Sequence, residues 1–411
     1  MKKNLLPIIA AMLGMAAPAS AQSYLMQIRQ TDGTVTEIDA DKVAKVTFAQ
    51  KPYTAEAIPT GTDLATWYEE NKTLFDTYDN VIIPLAADGE YTQSAVIEIP
   101  AGKKASIVGE AGGVAKLTFT ADAGFVVGNA FSISNVDIDA TASTGVLISL
   151  SATPDEALKG ATGQGEYYNI MGAISLDNVD VKGLKDRILY DGGVHYTVET
   201  LDIDGCNIQL DIPAENELGS KGYIDFYQSC IINNTIKNST IYNVGEGYAK
   251  YFVQYVNGQR STKFGYTNDY MTINNSTLYN LLDKSGQWGN YSGLGGQKSS
   301  VWEITDAIFV NCGSQVARRF MGGRQGGKMT FANNTYMNTY DGEAAFEEMP
   351  TEGEDGTVTD PSYDTSGTVI GTAPTFADAE NGDFTLGADC EQYAKKTGDP
   401  RWLPATDAPT E

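Results

Sequence analysis

Residues 235–243 read TIKNSTIYN and residues 272–280 read TINNSTLYN; EITDAIFVN at 303–311 and TFANNTYMN at 330–338 repeat the phrase. In each copy an apolar residue (Ile236, Ile273, Ile304, Phe331) stands two positions before Asn238, Asn275, Asp306 or Asn333. Five residues further on comes a second Asn: Asn243, Asn280, Asn311 or Asn338. Weaker copies lie upstream, with Ile133 before Asn135, Leu176 before Asn178 and Ile203 before Gly205. Successive anchors are 27 to 43 residues apart. A helical repeat of that length needs two amphipathic helices per copy. Here each copy is a short, Thr-rich, β-branched run with Asn at its bend and Gly-rich text of variable length between copies, the pattern of a solenoid of parallel strands. Insertions can bulge from one corner of such a solenoid and leave the phrase intact.

Asn and Gly share a tolerance for the left-handed backbone that a one-residue corner between two strands demands. Coils stack about 4.8 Å apart, so an Asn repeated at one corner can hydrogen-bond to its copies above and below. Both columns (Asn135, Asn178, Asn238, Asn275, Asp306 and Asn333; Asn243, Asn280, Asn311 and Asn338) are therefore read as an internal structural ladder rather than as a glycan or metal site.

Lys2 and Lys3 precede an apolar run from Leu5 to Ala17, followed by Ala19-Ser20-Ala21 at cleavage spacing, so residues 1–21 read as a signal peptide. That core is too short for a membrane span, no later stretch is long and apolar enough, and no Cys follows to take a lipid. The expected product is exported to the periplasm, cell surface or exterior, with no transmembrane segment. The formal charge of the 411-residue chain is −25, and losing Lys2 and Lys3 takes it to −27, which argues against a nucleic-acid partner. The four cysteines, Cys206, Cys230, Cys312 and Cys390, lack the paired spacing of a zinc site. Buried single thiols or disulfides both fit, with Cys206 and Cys230, about one coil apart, the preferred bridge.

Residues 22–50 alternate as two strands around Asp32-Gly33, a small β-hairpin module with a helical signal from Asp39. Residues 51–61, with Pro52 and Pro59, read as a linker. From Thr62 to Tyr78 apolar residues recur at helical spacing (Leu64, Trp67, Tyr68, Leu74, Phe75), with Thr62 or Asp63 as cap; this amphipathic helix is expected to cover the exposed end of the first coil. Short β-rich runs follow: VIIPLAADGEY, VIEIPAGKKASIVGE and AKLTFTA.

The helix, then VIIPLAADGEYTQSAVIEIPAGKKASIVGE at 81–110, then stacked I-x-N phrases, resembles the pectate-lyase-like right-handed parallel β-helix superfamily. The ending PTFADAENGDFTLGADCEQYAKKTGDPRW at 374–402 is similar to that of many secreted β-helix proteins, with Asp389 and Cys390 where Ser-Pro is usual. The resemblance is closest to uncharacterised secreted domains of unknown function from Gram-negative gut anaerobes. It implies an all-β fold, a right-handed parallel β-helix over residues 62–404 with the capping helix and hairpin module before it and a tail at 405–411.

The longest insertions in the array, 245–269 and 283–300, carry Tyr248, Tyr251, Tyr255, Tyr266, Trp288 and Tyr291 among Gly, Asn, Gln and Ser. Rings flanked by amides and hydroxyls suit stacking on sugars, so these residues are the expected glycan-binding platform, with packing against the coil wall as the alternative. Arg318, Arg319 and Arg324, with Lys328 close by, form a cationic cluster. The resemblance implies that, in a lyase, an Arg removes the proton beside a uronate carboxylate neutralised by calcium; the alternative is surface pairing with the chain's many acids. His195, beside Arg187 and Asp191, has no triad motif around it. Pectin methylesterases of this fold use two Asp residues and an Arg, but the text around Asp177, Asp180 and Asp225 does not match, and none is carried over. Calcium is the one metal considered, in the acidic stretch 343–367, which lacks a D-x-D-x-D-G loop; the metal site stays unassigned. The expectation is a polysaccharide-binding or polysaccharide-processing protein. A lyase acting by β-elimination and a non-catalytic structural surface protein are the alternatives. The glycan and the oligomeric state stay open.

Overall fold

The structure is a computed structural model that describes residues 25–29, 34–39, 51–162, 165–216, 218–255, 269–290, 300–314, 316–317, 328–346 and 364–403. The chain forms two compact units, Met1–Gln50 and Lys51–Glu411. In the first, Leu25–Arg29 pairs antiparallel with Val35–Asp39, Met26 opposite Ile38 and Ile28 opposite Thr36, the hairpin expected from the alternation. The helical signal beyond Asp39 lies outside the described residues.

The second unit is all-β with few helices. Its strands fall into three long sheets that the chain visits in turn, pairing in parallel from coil to coil. The first sheet runs from Tyr53–Thr54 and Asn80–Leu85 to Lys328–Ala332, the second from Glu90–Gln93 to Thr335–Asn338 with Ala345–Phe346 added antiparallel at its end, and the third from Val96–Glu98 to Gln287–Asn290. The register settles the meaning of the repeated phrase. Ile133 pairs with Leu176, then Ile203, Ile236, Ile273, Ile304 and Phe331 follow rung by rung, and Ile107 and Ile83 continue the column toward the first coil. The variable period therefore comes entirely from the corners. Apart from Phe331, which is half-buried in the last coil, these residues are 2 % exposed or less, because alternation turns every second residue inward.

Asn135, Asn178, Asn238, Asn275, Asp306 and Asn333 have φ between 46° and 55°, and Gly205 has 63°, so the column does form one left-handed corner. Its polar contacts correct the expectation of an internal ladder. Asn178 is exposed and the others half-buried, because the left-handed corner turns its Cβ outward. Asn178 Nδ2 donates to Asn135 Oδ1 at 2.9 Å and Asn333 Nδ2 to Asp306 Oδ1 at 2.9 Å. At Gly205 there is no side chain to accept, and Asn238 Nδ2 reaches Asp204 Oδ1 at 2.8 Å instead. The interior polar ladder lies one residue later. Ser239 Oγ accepts from the Cys206 N–H at 3.0 Å, Ser276 Oγ from Ser239 at 3.4 Å and Asn334 Oδ1 from Ala307 at 3.1 Å. In the second column Asn243 is 1 % exposed and ties the backbone of Gly245 and Gly247, while Asn280 and Asn311 are half-buried left-handed corners. Asn338 sits half-buried at the end of its strand.

The expected capping helix is present but broken in two, Leu64–Asn71 and Leu74–Thr77. Asp63 caps the first by accepting from the Thr66 N–H at 2.9 Å. Leu64, Ala65, Tyr68 and Phe75 are buried beneath it, and the Tyr68 hydroxyl donates to the Glu98 carbonyl of the first coil. Residues 51–61 are not a linker. Tyr53 and Thr54 pair with Val81 and Ile82, Ile58 bridges to Leu85, and Ala55 and Ile58 are buried. Nor is there a Cys206–Cys230 bridge: none of the four cysteines is in a disulfide, and all four are buried. Cys206 follows a corner, with its thiol donating to the Leu176 and Asp204 carbonyls, whereas Cys230 opens a first-sheet strand beside Thr197.

The C-terminal segment lies across the outer face of the second sheet. Phe376–Asp378 and Asp383–Leu386 pair antiparallel, and the Phe384 ring meets Tyr242, Tyr279 and Trp402 with centroids 5.0, 5.3 and 5.9 Å away. Buried Asp399 accepts from Thr240 Oγ1 at 2.8 Å, which pins the segment to the sheet.

Candidate functional site

Where the C-terminal segment stops covering it, the outer face of the second sheet is an open groove. In Val136–Asp139 alternation sends Val136 and Ile138 inward and Asp137 and Asp139 outward. Asp180, Lys182, Asn207 and Gln209 face the same way on the next two strands. Lys116 pairs with Asp137, Asp139 with Lys182, Asp180 with Asn207 and Gln209 with Tyr242. Because Ile138 is opposite Val181, Asp137 and Asp180 occupy neighbouring strands one step earlier. Asn381 and Gly382 of the C-terminal segment form part of the wall, enclosing a cavity of about 520 Å³. A second, of about 380 Å³, lies among Val114, Asp137, Asn178, Asp180 and Arg401.

The groove carries charges of both signs. Arg401 Nη1 donates to Asp180 Oδ1 at 2.8 Å and Nη2 to the Gly205 carbonyl. Asp139 is held below the usual carboxylate range by its hydrogen bonds to Thr141. Asp137 is different. Burial, and then neighbouring Asp180, push it up, and it has no hydrogen-bond or ion-pair partner among the described residues. The Oδ1 of Asn207 is likewise buried without a partner. A groove whose acceptors await donors, flanked by ammonium and guanidinium donors, can take a ligand rich in hydroxyls.

A second polar cluster sits on the third sheet. Arg187 Nε donates to Asp186 Oδ1 at 2.9 Å and Nη1 to Asp225 Oδ2 at 3.1 Å, with the guanidinium 4.1 Å above the Tyr190 ring. Burial opposes the Arg187 charge, yet Asp186 and Asp225 hold its pKa above the ordinary value. Asp225 is pushed up to about 6 by burial, against the pull of Arg187. Buried Asp191 accepts from the Gln228 and Gly193 N–H groups at 2.6 and 2.9 Å, and His195 Nδ1 lies 2.9 Å from the Gln228 carbonyl. These contacts tie loops together, and His195 has a structural place in them.

Among the described residues the aromatic platform expected from the insertions is not assembled. Trp288 and Tyr255 are 0 % and 2 % exposed, so neither ring can meet a sugar. Trp288 stacks on Phe252 at 4.4 Å and meets Phe309 edge-on at 5.3 Å, while Phe309 stacks on Tyr336: an aromatic column inside the solenoid. The cause is that both supposed insertions contain third-sheet strands, Ala249–Gln254 and Gln287–Asn290. Tyr248 and Tyr251 are half-buried, with the Tyr248 hydroxyl donating to Asn280 Oδ1 at 3.2 Å. Tyr266, Tyr291, Arg318, Arg319 and Arg324 lie outside the described residues, as does most of the acidic stretch considered for calcium. At the edge of that stretch Asp364 is buried and accepts from Tyr336 and Asn334 of the last coil. Among the described residues no cluster of His, Cys, Asp and Glu is arranged to hold a metal ion, and no helix is long and apolar enough to cross a membrane.

Two family models match the chain. Residues 89–244 match one described as a domain of unknown function (DUF4957), and residues 271–402 match another, also a domain of unknown function (DUF5123). The two matches are parts of one body: Thr240 and Ile241 of the first pair with Thr277 and Leu278 of the second. The groove also draws on both, since Asp137 and Asp180 come from the first and Gly382 and Arg401 from the second. No curated protein matches the chain.

The signal for the groove was present in the repeats, as the D-x-D of VDID and the D-x-K of DVK. It was legible as outward-facing polarity and no more, because the wall and Arg401 arrive from more than 200 residues away.

Proposed function

We propose that the chain is an exported, pectate-lyase-like right-handed β-helix protein that binds polysaccharide in the groove on the second sheet. Right-handedness follows from the strong preference of parallel crossovers for that hand, and export from the signal-peptide pattern of residues 1–21. The observation that carries the binding reading is the groove itself. Its cavity of about 520 Å³ falls in the range of ligand sites and accommodates one or two sugar rings. Its lining alternates acceptors (Asp137, Asp139, Asn207) with donors (Lys116, Lys182, Gln209), which is what a ring of hydroxyls, each both donor and acceptor, requires. Successive parallel strands add polar side chains to this lining about every 4.8 Å, which favours an extended chain over a single compact metabolite.

A glycan array probed with the full chain, followed by calorimetry of the best glycan, tests the reading. Asn207→Ala and Gln209→Ala should each weaken binding roughly 2- to 12-fold, the equivalent of one hydrogen bond. Binding indifferent to both substitutions, or no binding to any glycan, refutes it.

A further inference from the structure

We propose that the outer face of the first sheet carries a second binding site, for a small hydroxy acid whose carboxylate meets Lys104 and a row of serines and whose hydroxyl donates to Asn80. The site lies on a different face from the groove and does not rest on the glycan reading. In Lys104–Gly109 alternation sends Ala105 and Ile107 inward and Lys104 and Ser106 outward, and in Phe131–Ser134 it turns Ser132 the same way. Register then lines up the polar groups: Asn80 is opposite Lys104, Ser106 opposite Ser132, and Ser132 opposite Ser175. Beside them the outward positions hold only Ala130 and Ala173, and the missing side-chain bulk leaves a cavity of about 210 Å³. A β-bulge lies next to it. Met171 and Gly172 together oppose Glu199, Gly172 has a φ of 130°, and a Cβ there would stand 3.1 Å from the Ala130 Cβ.

The lining selects the chemistry. None of its nine residues is acidic, in a chain of net charge −25, and its one charged group is the Lys104 ammonium. Neighbouring Lys103 is taken by Asp79 at 2.7 Å, whereas Lys104 has no carboxylate partner among the described residues. Ser132 Oγ donates to Ser106 Oγ at 2.8 Å, which leaves the Ser106 proton free to donate onward. Ammonium and hydroxyl donors converging on one small space call for an anion with several lone pairs. Asn80 makes the opposite demand: its Oδ1 is buried, has no hydrogen-bond partner among the described residues, and can be satisfied only by a donor. A bare carboxylate or sulfate supplies acceptors alone. An acid with a hydroxyl beside its carboxylate supplies both. The cavity is smaller than the roughly 300 to 1,000 Å³ of drug-sized sites, which suits a compact acid such as lactate or glycerate.

The test titrates the full chain with lactate, glycerate, propionate and sulfate and follows saturable binding by ligand-observed NMR. Lactate or glycerate should bind, with propionate roughly 10-fold weaker or more, because it leaves Asn80 Oδ1 unpaired. Lys104→Met should weaken the hydroxy acid roughly 10- to 100-fold, the loss of a charge-assisted hydrogen bond, while Lys103→Met leaves it unchanged. Ala173→Leu fills the cavity without touching a polar group and should abolish binding. No binding of either hydroxy acid, propionate or sulfate binding as tightly as lactate, or a Lys104→Met variant that binds like the parent overturns the proposal. The comparison of lactate with propionate on the unmodified chain decides even where a variant fails to fold. Each of these outcomes leaves the groove's glycan binding as it stands, since that is read on another face with other ligands.

Discussion

Replacing Asn275 separates what a corner residue does through its backbone from what it does through its side chain. Its φ is 46°, and its N–H donates to the Thr305 carbonyl of the next coil at 3.2 Å. Its side-chain amide makes no hydrogen bond among the described residues; the nearby amide contact, 2.6 Å to Thr305 Oγ1, belongs to Asn274. Asn275→Gly keeps the left-handed angle without strain and should change stability by a few tenths of a kcal/mol, whereas Asn275→Ala must hold a Cβ in that region at a cost of about 1 to 2 kcal/mol. Asn238→Ala carries the same backbone cost and also loses the 2.8 Å bond to the half-buried Asp204 carboxylate, for a total of about 2 to 3 kcal/mol. Urea unfolding followed by circular dichroism, with midpoints compared at unchanged slope, measures the three. The order Gly, then Ala at 275, then Ala at 238 is the expected one. If Asn275→Gly costs as much as Asn275→Ala, the side chain and not the backbone angle holds the corner, and the reasoning fails.

Buried Asp225 and Asp399 both have folded pKa values of about 6 against an ordinary 3.8, so the folded state binds their protons more tightly than the unfolded one. Their contribution to stability is full below about pH 4 and is lost as pH rises through 6, on the order of 3 kcal/mol or less for each. Asp399→Asn should therefore flatten the loss of stability between pH 4 and 7, and an unchanged slope contradicts the assignment. Trp288→Ala should lower stability by about 3 to 5 kcal/mol through the cavity left between Phe252 and Phe309, with glycan affinity intact in the folded protein; a selective loss of affinity at unchanged stability would restore it as a binding residue. Alkylation and intact mass should show four thiols that react only after denaturation, and a Cys206–Cys230 bridge in the peptide map contradicts the structure.

The sequence by itself determined the column that builds this solenoid. A strand must turn its β-branched anchor inward, and a one-residue corner must be left-handed. Each constraint is local, so Ile236-x-Asn238 and Ile273-x-Asn275 announce it wherever the phrase recurs, however long the text between. The N-terminal hairpin was legible for the same reason. Only the tertiary structure decided which face each remaining side chain meets. Trp288 reads as a loop aromatic because its strand is four residues long and set in Gly-rich text; the parallel pairing of Val253 with Gly289 is what fixes it inward. Asn178, read as interior, is exposed because the same left-handed angle that the sequence predicts throws its Cβ outward. Asp180 and Arg401 lie 221 residues apart and become one site only when the C-terminal segment folds back over the second sheet. No periodicity can encode such a meeting, because it depends on the packing of Phe384 and Trp402 against tyrosines presented by separate coils.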